Sequence, residues 1–342
     1  MRLLAAALIL GPAGRAVAQD PAKLSVTTRA YVSVDAAAIA LKGVKVIDGT
    51  GAEPKSDQPM VIANGRIQAV GPAASTSIPA GTQVFELAGH TVIPGFAGMH
   101  DHTFYTTAAG RRSQLSYTAP KLYLASGVTT IRTTGSISPY DEINLKQQID
   151  QGEVPGPRMH ISGPYITGPS RSIDQRHIAT PEEARRVVNY WADEGATWFK
   201  VYTTISRANL TAVTEAAHQR GLKVTGHLCS VGYRDAVAAG IDGLEHGLMT
   251  NLEYYPSKQP DQCPSTDHRE FYTKLDLDGP AVQATFRDLN AKGVAISSTL
   301  AVHEVMVANR PPLDPRTIDA MSPEVQKEYL AAREQVAKGT GT

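Results

Sequence analysis

Apolar positions along the chain fall into two rhythms. Between residues 38 and 90 they come in short runs, Ile39 to Ile47, Pro59 to Ile62, Arg66 to Val70 and Gln83 to Leu87, separated by the turn signals Asp48-Gly49, Asn64-Gly65 and Pro79-Ala80-Gly81. Asn64-Gly65 between two apolar runs predicts a tight hairpin. This stretch reads as a small β unit. From Thr91 onward the rhythm changes, and short β-rich runs alternate with helix patterns. Strands are predicted at Thr91–His102, Gly127–Arg132, Arg158–Ser162, Thr197–Tyr202, Lys223–Leu228, Gly243–Gly247 and Val294–Leu300. The helices between them have legible ends. Thr180 caps a helix that has Pro181 at its first position and Glu183 three residues after the cap. A run from Ala208 to Arg220 stops at Gly221, and Ser322-Pro323 opens a helix that fades at Gly339. Strand–helix units at this spacing imply a parallel sheet, either a (β/α)8 barrel or a doubly wound sheet.

Length and composition narrow the picture. The 342 residues suffice for one large domain with a small one. Lys and Arg together number 33, as do Asp and Glu, so no basic footprint suggests a nucleic-acid partner. Arg2 precedes an apolar run from Leu3 to Leu10, and Ala16-Val17-Ala18 resembles a small-residue cleavage site. The pattern predicts a signal peptide over 1–18, cleaved after Ala18, and a secreted or periplasmic protein. Residues 19–37 are mixed and expected to be poorly ordered. No segment reads as a membrane span. In an oxidising compartment Cys229 and Cys263 can pair, although connectivity does not follow from sequence.

The candidate chemistry lies at strand ends, where parallel barrels carry their active sites. His100 and His102 close the first predicted strand, and residues two apart share a face, so both rings can reach one ion. Asp101 between them is expected to point the other way. Lys200 lies at the end of the fourth strand, His227 of the fifth and His246 of the sixth. Four imidazoles at one mouth suit two zinc-like ions. Two divalent cations about 3.5–4 Å apart need an anion between them. A free lysine cannot supply it, but a lysine carbamylated by carbon dioxide can.

This order, His-x-His, Lys, His, His on strands one, four, five and six, resembles the amidohydrolase superfamily in its binuclear form. The segments around His100 (Gly-Met-His-Asp-His-Thr-Phe-Tyr), Lys200 (Phe-Lys-Val-Tyr), His227 (Thr-Gly-His-Leu-Cys) and His246 (Leu-Glu-His-Gly) are similar to imidazolonepropionase- and prolidase-like members. The resemblance covers about residues 38–337. It implies an α/β fold, a (β/α)8 TIM-type barrel over 91–342, with a small N-terminal β-sandwich-like unit over 38–90. It implies two divalent ions, taken as zinc, with His100 and His102 on one, His227 and His246 on the other, and the Lys200 carbamate bridging them. The implied reaction is hydrolysis of an amide C–N bond in a dipeptide, N-acyl amino acid or small cyclic amide, by attack of a metal-bridging hydroxide. The family's proton carrier, an aspartate ending strand eight, has no counterpart in the sequence. The barrel is therefore expected to be incomplete, lacking strand eight, and activity to be impaired, since such a group is worth ~10²–10⁴-fold. A non-catalytic metal-binding remnant and a phosphoesterase on the same barrel are the alternatives. A homo-oligomer is compatible with the sequence.

Other polar residues near strand ends are weaker candidates for touching substrate. Tyr202 shares a face with Lys200, His177 and His303 follow the third and seventh strands, and Arg132 ends the second. Arg132 can grip a substrate carboxylate through both nitrogens or serve in an ordinary salt bridge. His90, His160, His218 and His268 read as turn, core, helix-face and loop residues with no ligand role.

Overall fold

The computed structural model describes residues 23–170, 175–264 and 269–339. The expected signal peptide and His268 lie outside them. The chain divides into two compact units. The first holds the described residues up to Ala97 together with Tyr123–Thr129 and Leu145–Arg158, and the second holds Gly98–Leu122, Thr130–Asn144 and the chain from Met159 onward.

The first unit is built on one five-stranded sheet in the order Arg66–Val70, Lys55–Ala63, Ala38–Val46, Gln83–Glu86, with Thr91–Val92 also paired to Ala38–Val46. Asn64 and Gly65 both take left-handed φ, 52° and 67°, which is the turn that the right-handed twist of a hairpin selects. Ala40, Val44, Met60 and Val61 are buried on this sheet. The five-stranded sheet is mixed, with antiparallel pairs on one side of Ala38–Val46 and parallel pairs on the other. Part of the stretch expected to be poorly ordered folds: a one-turn helix, Val26–Arg29, is capped by Ser25, whose N–H donates to the Gly152 carbonyl at 3.0 Å.

The second unit carries the alternating strands and helices. Six strands form a sheet in the order Arg176–His177, Tyr165–Thr167, Trp198–Val201, Lys223–Gly226, Gly243–Glu245, Ala295–Ser297, every pair parallel. A second sheet runs Arg158–His160, Val128–Thr133, Phe96–Asp101, and the ends Gly98–Asp101 and Thr130–Thr133 belong to this unit. A parallel bridge, Ser136 to Pro164, lies outside both sheets. No strand pairs with the far side of Ala295–Ser297 among the described residues, so the fold is a mixed α/β one without a closed ring of strands there.

The helix ends follow their residues. Thr180 accepts the Glu183 N–H at 3.2 Å and Ser206 accepts that of Asn209 at 3.2 Å, so each hydroxyl satisfies a donor that the first helical turn leaves open. The two helices, Pro181–Asp193 and Arg207–Gln219, bury Val187, Val188, Leu210 and Val213 against Phe199, Val201 and Val224 of the sheet. Phe199, Val201 and Val224, the register partner of Phe199, share one face of the sheet, and both helices cover that face.

Three differences from the sequence expectation bear on the site. The predicted strand Arg158–Ser162 ends at His160, and a further strand, Tyr165–Thr167, lies beyond its bounds in a different sheet. The run Val294–Leu300 stops at Ser297, because Thr299 takes a left-handed φ of 52° and Leu300 begins a short helix. Phe104–Thr106 and Arg112–Gln114 form a hairpin where only loop is expected. None of these stretches has a hydrophobic period long enough to announce it.

Candidate active site

Each of the five residues singled out by the sequence stands at or just past a strand end. His100 and His102 lie at the end of Phe96–Asp101, Lys200 within Trp198–Val201, His227 directly after Lys223–Gly226, and His246 directly after Gly243–Glu245. The structure brings all five to one cavity of about 660 Å³. The rings of His100 and His102 have centroids 5.4 Å apart, those of His100 and His246 4.7 Å, and those of His227 and His246 4.4 Å. Lys200 ends among them, 1% exposed, and its Nζ has no hydrogen-bond partner.

Burial decides the protonation of the cluster. It lowers His102 to about 3, His227 to about 2 and His246 to about 3, and neighbouring imidazoles and Lys200 push in the same direction. His100 is lowered as well, again by burial first, although its contact with Glu245 opposes the shift. Neutral imidazole is the form that binds a metal ion. Burial also pulls Lys200 down to about 7, with Glu245 resisting and Arg132 assisting. Its amine is therefore accessible in the uncharged, nucleophilic form near neutral pH.

Glu245, a residue to which the sequence gives no role, organises the floor of the site. It is wholly buried. Its Oε2 lies 2.7 Å from His100 Nδ1, and its Oε1 accepts from Arg132 at 2.6 Å and from the Thr225 hydroxyl. Burial alone would raise this carboxyl, but His100, Lys200 and Arg132 together hold it down to about 2. Glu245 and His246 are consecutive, so strand alternation would turn them to opposite faces. His246 escapes that rule by taking a left-handed φ of 67°, and its Nδ1 then meets the Thr299 hydroxyl at 2.7 Å. Tyr233 donates to the Gly247 carbonyl at 2.7 Å and so secures this turn. The available signal was a lone acid inside a short buried strand, which needs a partner to remain there.

The remaining candidates divide. Tyr202 lines the cavity, edge-on to His227 at 4.7 Å and to Tyr165 at 5.1 Å. Tyr165, unforeseen, reaches the cavity because Gly135 has no side chain: a Cβ there would clash with the edge of the Tyr165 ring. The Gly135 carbonyl lies 3.2 Å from His102 Nδ1. Arg132 points away from the substrate space, held by Glu245 and the Met99 carbonyl and stacked 4.5 Å over Trp198, so the salt bridge accounts for it. His177 is exposed at the sheet's end and does not line the cavity, whereas His303 lies close enough to His246 to affect its charge. Asp101, expected on the opposite face, lines the cavity too. Cys229, two residues past His227, is joined to Cys263 by a disulfide.

Among the described residues, no three His, Cys, Asp or Glu side chains are grouped to hold an ion by themselves. The donors come instead as imidazole pairs beside an unpartnered buried amine. That set fits two ions only if the lysine contributes a ligand.

The amidohydrolase family profile matches residues 91–334. Among solved structures, the chain is similar to a candidate prolidase from Bifidobacterium longum at 28% identity and a TM-score of 0.59, covering 89% of this chain and 70% of that one. It is similar to a Xaa-Pro dipeptidase with methionine bound in its active site at 20% identity and a TM-score of 0.62, covering 88% and 75%. Phenylurea hydrolase B matches at 18% identity and a TM-score of 0.55, covering 89% and 83%. No curated protein matches the chain. Among the described residues no helix is long and apolar enough to cross a membrane.

Proposed function

Because the chain belongs to the amidohydrolase family, whose members act on C–N bonds, we propose that it hydrolyses the amide bond of a small dipeptide-like substrate with two zinc ions. The observation that carries this reading is the buried, unpartnered Lys200 amine encircled by four neutral imidazoles. His100 and His102 would hold one ion and His227 and His246 the other, and a carbamylated Lys200 would supply the anionic ligand that both need. When bound, such ions polarise the amide carbonyl and activate water at neutral pH.

The chain's own residues supply position and environment. Lys200 in its uncharged form attacks carbon dioxide, and the proton lost from nitrogen leaves to solvent. Arg132 is near enough to Lys200 to depress its amine, and its positive charge would favour the resulting anion. Tyr165 and Tyr202 keep their phenolic protons, since burial raises both, and so present donors to a substrate carbonyl or carboxylate. Met99, Ile296, Ala301 and Val302 give the cavity an apolar side that suits an uncharged side chain or a proline ring. The structural likeness to a candidate prolidase and a Xaa-Pro dipeptidase supports a dipeptide over the other amides. The cysteine pair supports export to an oxidising compartment.

The test is elemental analysis of the purified chain, followed by turnover assays on Xaa-Pro dipeptides, N-acyl amino acids and cyclic amides. Two equivalents of zinc and hydrolysis of at least one amide class are expected. Lys200→Ala should cut both metal content and turnover by more than the ~10–100-fold that loss of a supporting partner costs. Turnover of an organophosphate ester with none on amides would overturn the amide assignment.

A further inference from the structure

We propose that Glu245 is a positioning residue for the metal centre. It fixes the proton of His100 on Nδ1, leaving Nε2 free for an ion, and it sets an anionic carboxylate against the His100 ring of the His100–His102 pair. This inference rests on the metal-dependent reading above.

The argument begins with which atoms can donate. Glu245 Oε1 already accepts from Arg132 at 2.6 Å and from the Thr225 hydroxyl, and its side chain is shut off from solvent. A buried carboxylate with two donors on one oxygen, one of them a cation, remains ionised and has no proton to give. The 2.7 Å contact between its Oε2 and His100 Nδ1 therefore requires the imidazole to donate. A neutral ring carries one N–H, so Nε2 must bear the lone pair. Partners of this kind orient metal-binding imidazoles and raise their basicity.

The other rings are supported differently. His102 Nδ1 faces the Gly135 carbonyl at 3.2 Å, which fixes the same tautomer without a charge. His246 Nδ1 faces the Thr299 hydroxyl at 2.7 Å, and a hydroxyl can either donate or accept. His227 has its ring against that of Tyr202. The His100–His102 pair thus combines two fixed tautomers with an anionic support at His100. Arg132 anchors that support through the Met99 carbonyl and its stack on Trp198. The consequence is an asymmetric centre, in which the ion on His100 and His102 binds more tightly than its neighbour.

Glu245→Gln tests this with nearly unchanged volume. An amide must either turn its NH2 group toward His100, which favours the wrong tautomer, or turn it toward Arg132, a donor facing a donor. Wild-type and variant full-length chains, stripped of metal, are titrated with zinc against a competing chelator. In parallel, long-range nitrogen–proton spectra of the stripped chains report which ring nitrogen of His100 is protonated, with the signal assigned through His100→Asn. Wild type should bind two zinc ions and show His100 protonated on Nδ1. The variant should lose ~10–100-fold in affinity at one site, hold the other within a few-fold, and shift His100 away from that tautomer. A merely structural Glu245 would lower the melting temperature without changing the ratio of the two zinc affinities, and that result overturns the proposal. Protonation of wild-type His100 on Nε2 overturns it as well, a result that needs no variant to fold. Wild type that takes up no zinc overturns the metal-dependent reading and this role together. Two ions bound equally by wild type and variant overturn only the role of Glu245.

Discussion

His100 and His102 leave one strand together, whereas His227 and His246 come from the ends of two neighbouring strands. The first pair is placed by the two-residue period of extended chain and backed by a carboxylate and a carbonyl. The second pair depends on a local backbone exception, the left-handed His246, and on a hydroxyl from a residue that is itself left-handed, Thr299. A β-branched residue in that region is an outlier that surrounding structure must impose. One cavity therefore contains a pair set by strand geometry and a pair in which one ring, His246, is set by a turn. Loss of a buried charge partner should damage the first, and loss of a hydroxyl the second.

The largest expected effect comes from removing the support of the first pair. Arg132→Met leaves Glu245 buried opposite His100 without its cation, and stripping one partner from a buried ion pair costs about 3–5 kcal/mol. Denaturant unfolding of the metal-free chain should show that loss. A change below ~1 kcal/mol would mean that the ion pair matters little, since even exposed pairs reach that value.

Acid should act on both pairs alike. The imidazoles titrate far lower in the folded chain than at their ordinary 6.5 because they are buried, so between these values the unfolded chain binds more protons. The stability of the metal-free chain is then full above about pH 6.5 and falls as pH drops toward 3, by about 1.4 kcal/mol per pH unit for each such ring. Glu142 opposes this with a single group. Burial raises it to about 7, so its contribution is present below 4.5 and is lost as pH rises through 7. Melting temperatures recorded from pH 8 to 5 should therefore decline. A flat profile would show that the rings are hydrated in the metal-free state.

The smallest effect separates the pairs from the other side. Thr299→Val removes the partner of His246 Nδ1 and should weaken one zinc site by about tenfold, while Thr299→Ser keeps it. Chelator competition would check this. Equal loss in both variants would assign the role to backbone geometry and not to the hydroxyl.

The extent to which the sequence disclosed this site follows the same divide. The meeting of His100, His102, Lys200, His227 and His246 at one cavity was legible because strands repeat every two residues and parallel folds put chemistry at strand ends. The helix caps at Thr180 and Ser322 were legible from side-chain chemistry alone. Glu245 was not, since alternation assigns it to the face opposite His246 and only the left-handed turn brings both into use. Tyr165 was hidden for a related reason: its strand is three residues long, too short for a period, and its reach depends on Gly135. Arg132 offered two readings, and the choice needed its partner's position. The end of the seventh predicted strand was lost to Thr299, whose composition gives no warning of a positive φ.

The adjacency of Glu245 and His246 also shapes how the gene can tolerate error. One added or deleted codon between Gly243 and Gly247 would displace the partner of one imidazole pair and a member of the other in a single step. The same accident after His227 would reach only its own pair directly. Five codons around the end of one short strand therefore carry parts of both pairs' surroundings, and an insertion or deletion there reaches both at once.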